Sequence, residues 1–204
     1  MTTDLRLHEA AGDGDVGEIE RLLGAGLAID AQDADGRTPV MVATLARRTD
    51  AVRALVDAGA DVDIRDSRVD NVFLYAGAEG LLDILRIANE AGADPALTNR
   101  FGGIALIPAS ERGHVEVVRY LLAESDVDVD HVNRLGWTAL LEAIILSDGG
   151  PAHQEIVGML LEAGADPDLA DGEGVTPLAH ARSRGYDAIA ALLVAADATG
   201  GGES

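Results

Sequence analysis

The sequence contains no cysteine and no lysine, and only 3% of its 204 residues are aromatic. The lack of cysteine excludes disulfides, thiolate nucleophiles and cysteine-ligated metal sites. No apolar run approaches the roughly 18 residues that a membrane-spanning helix needs. The first residues also lack the basic region that opens a secretory signal peptide. We therefore expect a cytoplasmic chain that does not enter a membrane.

Acidic residues strongly outnumber basic ones: 36 Asp and Glu stand against 15 basic residues, all of them Arg, giving a formal charge of −21. Binding to nucleic acid without sequence preference requires many cations, so this charge argues against it. It argues equally against adhesion to an anionic membrane surface. Because 48% of the chain is hydrophobic, mostly through small residues, the sequence predicts a folded protein of closely packed helices.

Two apolar positions recur along the chain at nearly constant intervals. An alanine near the start of a helix recurs at spacings of 33, 33, 33, 34 and 38, and an apolar residue in the following helix recurs at 33, 33, 33, 39 and 33. The two series are Ala10, Ala43, Ala76, Ala109, Ala143, Ala181 and Leu22, Leu55, Ala88, Leu121, Leu160, Leu193. The interval within a repeat is 12 except in repeat five, where it is 17, so five extra residues separate its two helices.

Each repeat is predicted to form a turn, a helix, a turn and a second helix. The clearest copy is Asp33-Ala-Asp-Gly-Arg-Thr-Pro39, in which Gly36 permits a tight turn, Thr38 caps a helix and Pro39 fits its first position. Second helices end in Gly-Ala-Asp, as at 59–61. Over residues 5–197 this pattern resembles the ankyrin repeat, and it is similar to the small stand-alone bacterial ankyrin proteins that carry no enzyme domain.

The resemblance implies an all-α repeat solenoid of six ankyrin repeats, a curved stack of helix pairs with β-hairpin fingers along one edge. We predict a single domain over residues 1–197, with the first repeat as the polar N-terminal cap, and a disordered tail over 198–204. The predicted repeats are 1–32, 33–65, 66–98, 99–132, 133–170 and 171–197.

Catalytic and metal-binding patterns are sparse. No two of the five histidines have the spacing that places ligands on one helix face, and no phosphate-cradling loop or nucleophile elbow occurs, so we predict no metal, cofactor or enzyme activity. His8 matches the ankyrin Leu-His position, where the family uses the ring to bond the turn. Many acids stand at turn positions, where their carboxylates accept backbone N–H groups: Asp33, Asp61, Asp66, Asp94, Asp166 and Asp171.

The repeat pattern is broken in repeats three to five. Repeat three loses the turn glycine and the Thr-Pro pair, and repeat four has Ile104, which cannot cap, and Pro108, which should delay or distort the helix. Repeat five carries the insertion around 147–151. Four of the six aromatic residues also fall here: Phe73, for which we predict a core position, Tyr75, Phe101 and Trp137.

In ankyrin proteins the resemblance implies that partners meet the fingers and the inner face of each first helix. We therefore predict a non-catalytic scaffold that binds an acidic or mixed-charge protein segment on the concave finger face of repeats three to five. Trp137 would be the apolar anchor, and Arg100 and Arg134, at the same finger position, would supply charge. The candidate partner-binding residues are Arg68, Tyr75, Arg100, Phe101, Arg112, Arg134, Trp137, Glu142 and Asp148.

Other interpretations stay open at this point. The same groove could hold a small anionic ligand between the two arginines, which is the main alternative. Glu142, Asp148 and His153 could form an acid–base site near the insertion. The aromatic residues could instead fill gaps between fingers, and the arginines could merely answer neighbouring acids. A monomer and self-association through the ends of the stack are both compatible with the sequence, and the partner is not identified by it.

Overall fold

The computed structural model describes the backbone of residues 4–200 and the side chains of residues 4–197. This part of the chain contains α-helices joined by turns and no β-strand. The helices are α1 (Arg6–Asp13), α2 (Val16–Gly24), α3 (Pro39–Leu45), α4 (Thr49–Asp57), α5 (Val72–Ala78), α6 (Leu82–Glu90), α7 (Leu106–Glu111), α8 (Val115–Glu124), α9 (Ala139–Ile145), α10 (Pro151–Glu162), α11 (Pro177–Ser183) and α12 (Asp187–Gly200).

These helices pair as the six predicted repeats require, one first helix and one second helix in each. Because α12 continues to Gly200, residues 198–200 of the predicted tail lie in a helix. The rest of the predicted tail, 201–204, lies outside the described residues.

The chain forms two compact units, Met1–Arg100 with α1–α6 and Phe101–Ser204 with α7–α12. Within each unit the first helices of successive repeats pack side by side, and the second helices do the same. Each first helix also packs against its own second helix. Every unit is therefore two layers of helices with an apolar core between them.

The core is built on the two recurring apolar positions. All six landmark alanines are at most 5% exposed, and all six landmark positions of the second helices are at most 1% exposed. Phe73 is 1% exposed, so the prediction that it belongs to the core is confirmed. Small side chains at the first series let neighbouring helices approach closely, which explains the low aromatic content.

Short polar side chains begin most of the first helices. Thr38, Asn71, Thr138 and Thr176 each accept the backbone N–H of the residue three positions later. This bond satisfies one of the amide groups that a helix start leaves unpaired. The capping role predicted for Thr38 is confirmed.

Repeat four lacks such a cap, and its first helix is shorter. Ile104 is buried at 1% exposure and gives no cap bond, and α7 begins at Leu106, one residue later than the corresponding helices. Pro108 lies inside α7 and cannot donate a backbone bond. The prediction that this helix starts late is confirmed.

The predicted fingers are five tight turns at residues 33–37, 66–70, 99–103, 133–137 and 171–175, numbered two to six by repeat. In finger two the N–H of Asp33 donates to the carbonyl of Arg37 at 3.0 Å, and fingers three, five and six repeat this bond. All six turn aspartates predicted to accept backbone N–H groups do so: Asp33, Asp61, Asp66, Asp94, Asp166 and Asp171. Much of the acidic surplus is therefore structural.

The five-residue insertion of repeat five is divided between a turn and a helix. Three residues connect the two helices of the other repeats after the first, whereas five residues, 146–150, connect α9 to α10. The remaining three extend α10, which has 12 residues where α4 and α6 have 9. The insertion thus adds about one helical turn and only a short stretch of loop.

Among the residues that the structure describes, two other than glycine hold the left-handed backbone conformation. Val69 has a φ of 67° at the finger position that is glycine in fingers two, four, five and six. Arg47 has a φ of 57° at the helix connector, where the other repeats have glycine. Finger three therefore keeps the shape of the turn although it has lost the turn glycine.

Candidate functional site

The predicted partner-binding residues fall in both units. In the first unit, Arg68 and Arg100 are exposed on fingers three and four, and Tyr75 is half-buried on α5. In the second unit, Phe101 and Arg134 are exposed on fingers four and five, and Trp137 is half-buried at the end of finger five. Arg112, at the end of α7, and Asp148, on the insertion, are also exposed, whereas Glu142 is buried.

Large apolar side chains project from the tips of two fingers in the second unit. Phe101 is 50% exposed and Leu135 is 56% exposed, and they hold the same position in fingers four and five. Val132, just before finger five, is 48% exposed. The sequence reasoning missed Val132 and Leu135. Alignment of the fingers by position could have revealed Leu135, because the residue at the same position is acidic in fingers two and six, Asp35 and Glu173.

Arg134 joins these two tips through its backbone and its side-chain stem. Its N–H donates to the carbonyl of Phe101 at 2.9 Å. A Cβ added to Gly102 would come within 2.8 Å of the Arg134 Cγ, so the stem runs along this glycine. Gly102 also has a φ of 77°. Gly102 thus allows both the tight turn and the close approach of the arginine stem.

Glu142 is bound inside the protein instead of facing a partner. It is 5% exposed, and its Oε1 accepts a bond of 2.7 Å from Nδ2 of Asn133, which is 7% exposed. Burial, and after it the charge of Glu111, raise the pKa of Glu142 to about 7, although the bond from Asn133 opposes the shift. The buried carboxyl of Glu142 therefore does not belong to the exposed surface.

Asn133 couples this buried carboxyl to finger five. Its Oδ1 accepts the N–H groups of Leu135 at 2.9 Å and Trp137 at 3.1 Å. In the next repeat, Asp171 and His180 occupy the positions of Asn133 and Glu142. Nε2 of His180 lies 2.7 Å from Oδ2 of Asp171, and Oδ1 of Asp171 accepts two backbone N–H groups of finger six. The pKa of Asp171 lies below its usual range, because the backbone N–H of Val175 and, to a smaller extent, the side chain of His180 bond to its carboxylate.

Several histidines have structural bonds to backbone carbonyls. Nε2 of His8 lies 3.0 Å from the carbonyl of Arg37, as the repeat resemblance implied. His131 and His153 make the same kind of contact with the carbonyls of Gly102 and Glu111. Among the residues that the structure describes, no group of three or more His, Asp or Glu side chains is arranged to hold a metal ion.

The insertion is held by side chains from both of its flanks. The ring of Tyr186 packs over Gly149, where an added Cβ would lie 2.5 Å from Cδ1, and its hydroxyl donates to the carbonyl of Ser147 at 2.7 Å. Gln154 donates to the carbonyl of Gly149 at 2.8 Å. Asp148 is exposed and lies 3.4 Å from Nδ1 of His153. Two of the three residues considered for acid–base chemistry therefore meet, while the carboxyl of Glu142 bonds to Asn133.

Comparison with known proteins identifies the repeat. The family model for ankyrin repeats matches residues 5–66 and 73–171. The chain belongs to the ankyrin-repeat family. It is 44% identical to the putative ankyrin repeat protein YahD of Escherichia coli K12, over 93% of this chain and 94% of that protein.

A solved ankyrin repeat domain from Acinetobacter baumannii AYE has 54% identity and a TM-score of 0.92, covering 95% of this chain and 98% of that one. The predicted all-α ankyrin solenoid is thereby confirmed.

Ankyrin repeats generally mediate protein–protein interaction, and the family is typically non-enzymatic. One match is to an enzyme, the L-asparaginase of Dirofilaria immitis, at 28% identity over 85% of this chain but 28% of that protein. Within residues 4–200, no helix combines the length and apolarity needed to cross a bilayer.

Proposed function

We propose that this ankyrin-repeat chain is a non-catalytic recognition scaffold that binds a protein partner on the finger and inner-helix face of repeats three to five. The observation that carries the proposal is the exposure of Phe101 and Leu135 at two consecutive fingertips. Exposed apolar side chains that cluster are typical of interaction sites. Arginine and aromatic residues, which are enriched in binding hot spots, accompany them.

The residues that we propose to bind the partner are found in both units. Arg68, Tyr75 and Arg100 belong to the first unit, and all but Tyr75 are exposed. Phe101, Arg134 and Trp137 belong to the second unit, with Arg112 and Asp148 as outlying polar contacts.

The proposal is tested by affinity capture from native cell extract with wild-type protein and with the Arg100→Ala, Arg134→Ala, Trp137→Ala variant. A matched control replaces two arginines and a tyrosine on second helices, Arg53→Ala, Arg119→Ala and Tyr120→Ala. Both variants must first melt like the wild type. We expect a protein that wild type and control retain and the face variant loses.

With the captured partner purified, calorimetry measures the single substitution Trp137→Ala. If Trp137 is a hot spot, the substitution weakens binding by about 2 kcal/mol or more. A partner retained equally by all three proteins would place recognition on another surface. If nothing is retained, thermal-shift screening with anionic metabolites tests the small-ligand alternative.

A further inference from the structure

Acidic residues are missing from fingers four and five although the chain has 36 of them. The sequence has no Asp or Glu between Asp94 and Glu111, and none between Asp130 and Glu142. The other three fingers, two, three and six, contain two acids each. The two fingers read Asn-Arg-apolar-Gly, at 99–102 and 133–136.

The turn itself does not require this change of charge. Asn133 Oδ1 accepts the N–H groups at 2.9 and 3.1 Å, and Asp171 Oδ1 accepts the equivalent pair at 2.9 and 2.9 Å. The asparagine keeps the bonds of the finger and removes its carboxylate. The side chains of the tip residues Phe101 and Leu135 have no polar atoms and take no part in these bonds.

The apolar tips and the arginine form one surface within the second unit, which we call the tip patch: Phe101, Val132, Arg134 and Leu135. The bond between the Arg134 N–H and the Phe101 carbonyl places the two finger backbones side by side. The three apolar members are each about half exposed. The patch therefore combines an apolar surface with a guanidinium and no carboxylate.

We propose that the tip patch binds an extended acidic segment of a partner protein, seating a large apolar side chain of that segment against Phe101 and Leu135 and a neighbouring carboxylate at Arg134. This proposal rests on the proposed function and names its partner chemistry. The net charge of −21 disfavours carboxylates over the chain as a whole, whereas Arg134 supplies a guanidinium, which binds carboxylates in a two-pronged manner. A basic segment would favour the acidic fingers instead.

The test is selection from a phage-displayed library of random dodecapeptides on immobilised protein. The swapped variant, Phe101→Asp, Arg134→Ala, Leu135→Asp, gives finger five the Ala34-Asp35 sequence of finger two, so each new residue occurs in a finger of this chain. The control, Gly172→Ala, Glu173→Asp, writes the same two residues into finger six. Gly172 is not in the left-handed region, and a Cβ there meets nothing within 4 Å.

We expect wild type and control to enrich peptides in which a large apolar residue stands next to Asp or Glu. A synthetic consensus peptide should bind the swapped variant at least tenfold more weakly by calorimetry, and salt should weaken its binding to wild type. Enrichment of basic peptides, or equal binding to the swapped variant, would overturn the tip-patch proposal and leave protein recognition by other surfaces intact.

Two further outcomes would also overturn the proposal. A dimer that sedimentation detects in wild type and not in the swapped variant would replace the partner by a second copy of this chain. Failure to enrich any peptide would contradict binding of an acidic segment to the tip patch. If extract capture also yielded no protein, the proposed function would be contradicted as well.

Discussion

Val69 holds a backbone conformation that the other fingers give to glycine. A β-branched residue with a φ of 67° is sterically strained, because the left-handed region costs an L-residue about 1–2 kcal/mol. Glycine would remove the strain but would add freedom to the unfolded chain. The turn bonds of Asp66 to Arg68 and Asp70 hold the strained residue in place.

We expect Val69→Gly to raise the free energy of unfolding by roughly 0.5–1 kcal/mol, the relief of strain less the entropy of glycine. Chemical denaturation with far-UV circular dichroism measures it. Val69→Ala is the matched control, since it shortens the side chain and keeps the strained φ. If both variants lower stability equally, packing of the valine outweighs its strain.

The buried carboxyl of Glu142 makes stability depend on pH. Because its folded pKa is about 7, above the ordinary 4.5, its favourable contribution is complete below pH 4.5 and is lost as the pH rises through 7. A shift of this size corresponds to roughly 3 kcal/mol between the protonated and ionised forms. Glutamine copies the protonated form, since its carbonyl still accepts the bond from Asn133.

We expect Glu142→Gln to become steadily more stable relative to wild type between pH 5 and pH 8, as measured by urea denaturation at several pH values. Glu155→Gln, at an exposed position, is the control and should show no such trend. A difference between Glu142→Gln and wild type that stays constant with pH would show that Glu142 titrates normally.

Among the elements, the fingers are held by interchangeable pairs. Finger five is tied to its helix by Asn133 and Glu142, and finger six by Asp171 and His180 at 2.7 Å. The two pairs occupy the same positions but differ in which partner has the charge. One pair should therefore be replaceable by the other only if both members change together.

We expect Asn133→Asp alone to lower the free energy of unfolding by about 3 kcal/mol, because it faces one buried carboxylate with another. Adding Glu142→His should restore most of this loss by rebuilding the pair of finger six. A double-mutant cycle by chemical denaturation at pH 7 measures the coupling. Simple additivity of the two losses would show that the pair does not hold the finger.

One side chain of the last repeat, Tyr186, helps to hold the insertion of repeat five. Removing the Tyr186 hydroxyl breaks its bond to the Ser147 carbonyl, a loss of about 1 kcal/mol. We expect Tyr186→Phe to speed hydrogen exchange of the amides at 147–150 while leaving α4 and α6 unchanged. Tyr75→Phe is the control. Unchanged exchange in the loop would show that ring packing alone is sufficient.

At the scale of the whole molecule, the excess of carboxylates, with a net charge of −21, produces repulsion among the acidic side chains. The screening length falls from about 30 Å at 10 mM salt to about 8 Å at 150 mM, while exposed ion pairs contribute only about 0–1 kcal/mol each. We expect the melting temperature to rise by several degrees over this range of sodium chloride. Sorbitol at equal osmolality is the control. A melting temperature that falls with salt would show that attractive pairs dominate.

The sequence predicted the fold because the helix positions repeat and so confirm one another. Six buried alanines, the cap at Thr38 and six turn aspartates behave as the pattern required. Positions that occur once were harder. The burial of Glu142 depends on its partner nine residues away, and the exposed tips of Phe101 and Leu135 become visible only when fingers are aligned by position. The division of the insertion between loop and helix also depends on packing by Tyr186, which no local pattern shows.

The Tyr186 contact also determines when, during synthesis of the chain, the loop at 146–150 can be fixed. The loop at 146–150 bonds to a hydroxyl 39 residues downstream of Ser147. A chain growing from its N-terminus therefore completes α9 and α10 before the residue that fastens the segment between them has been made. Until the sixth repeat docks, this loop lacks its bond to Tyr186. A chain truncated before residue 186 never forms this bond.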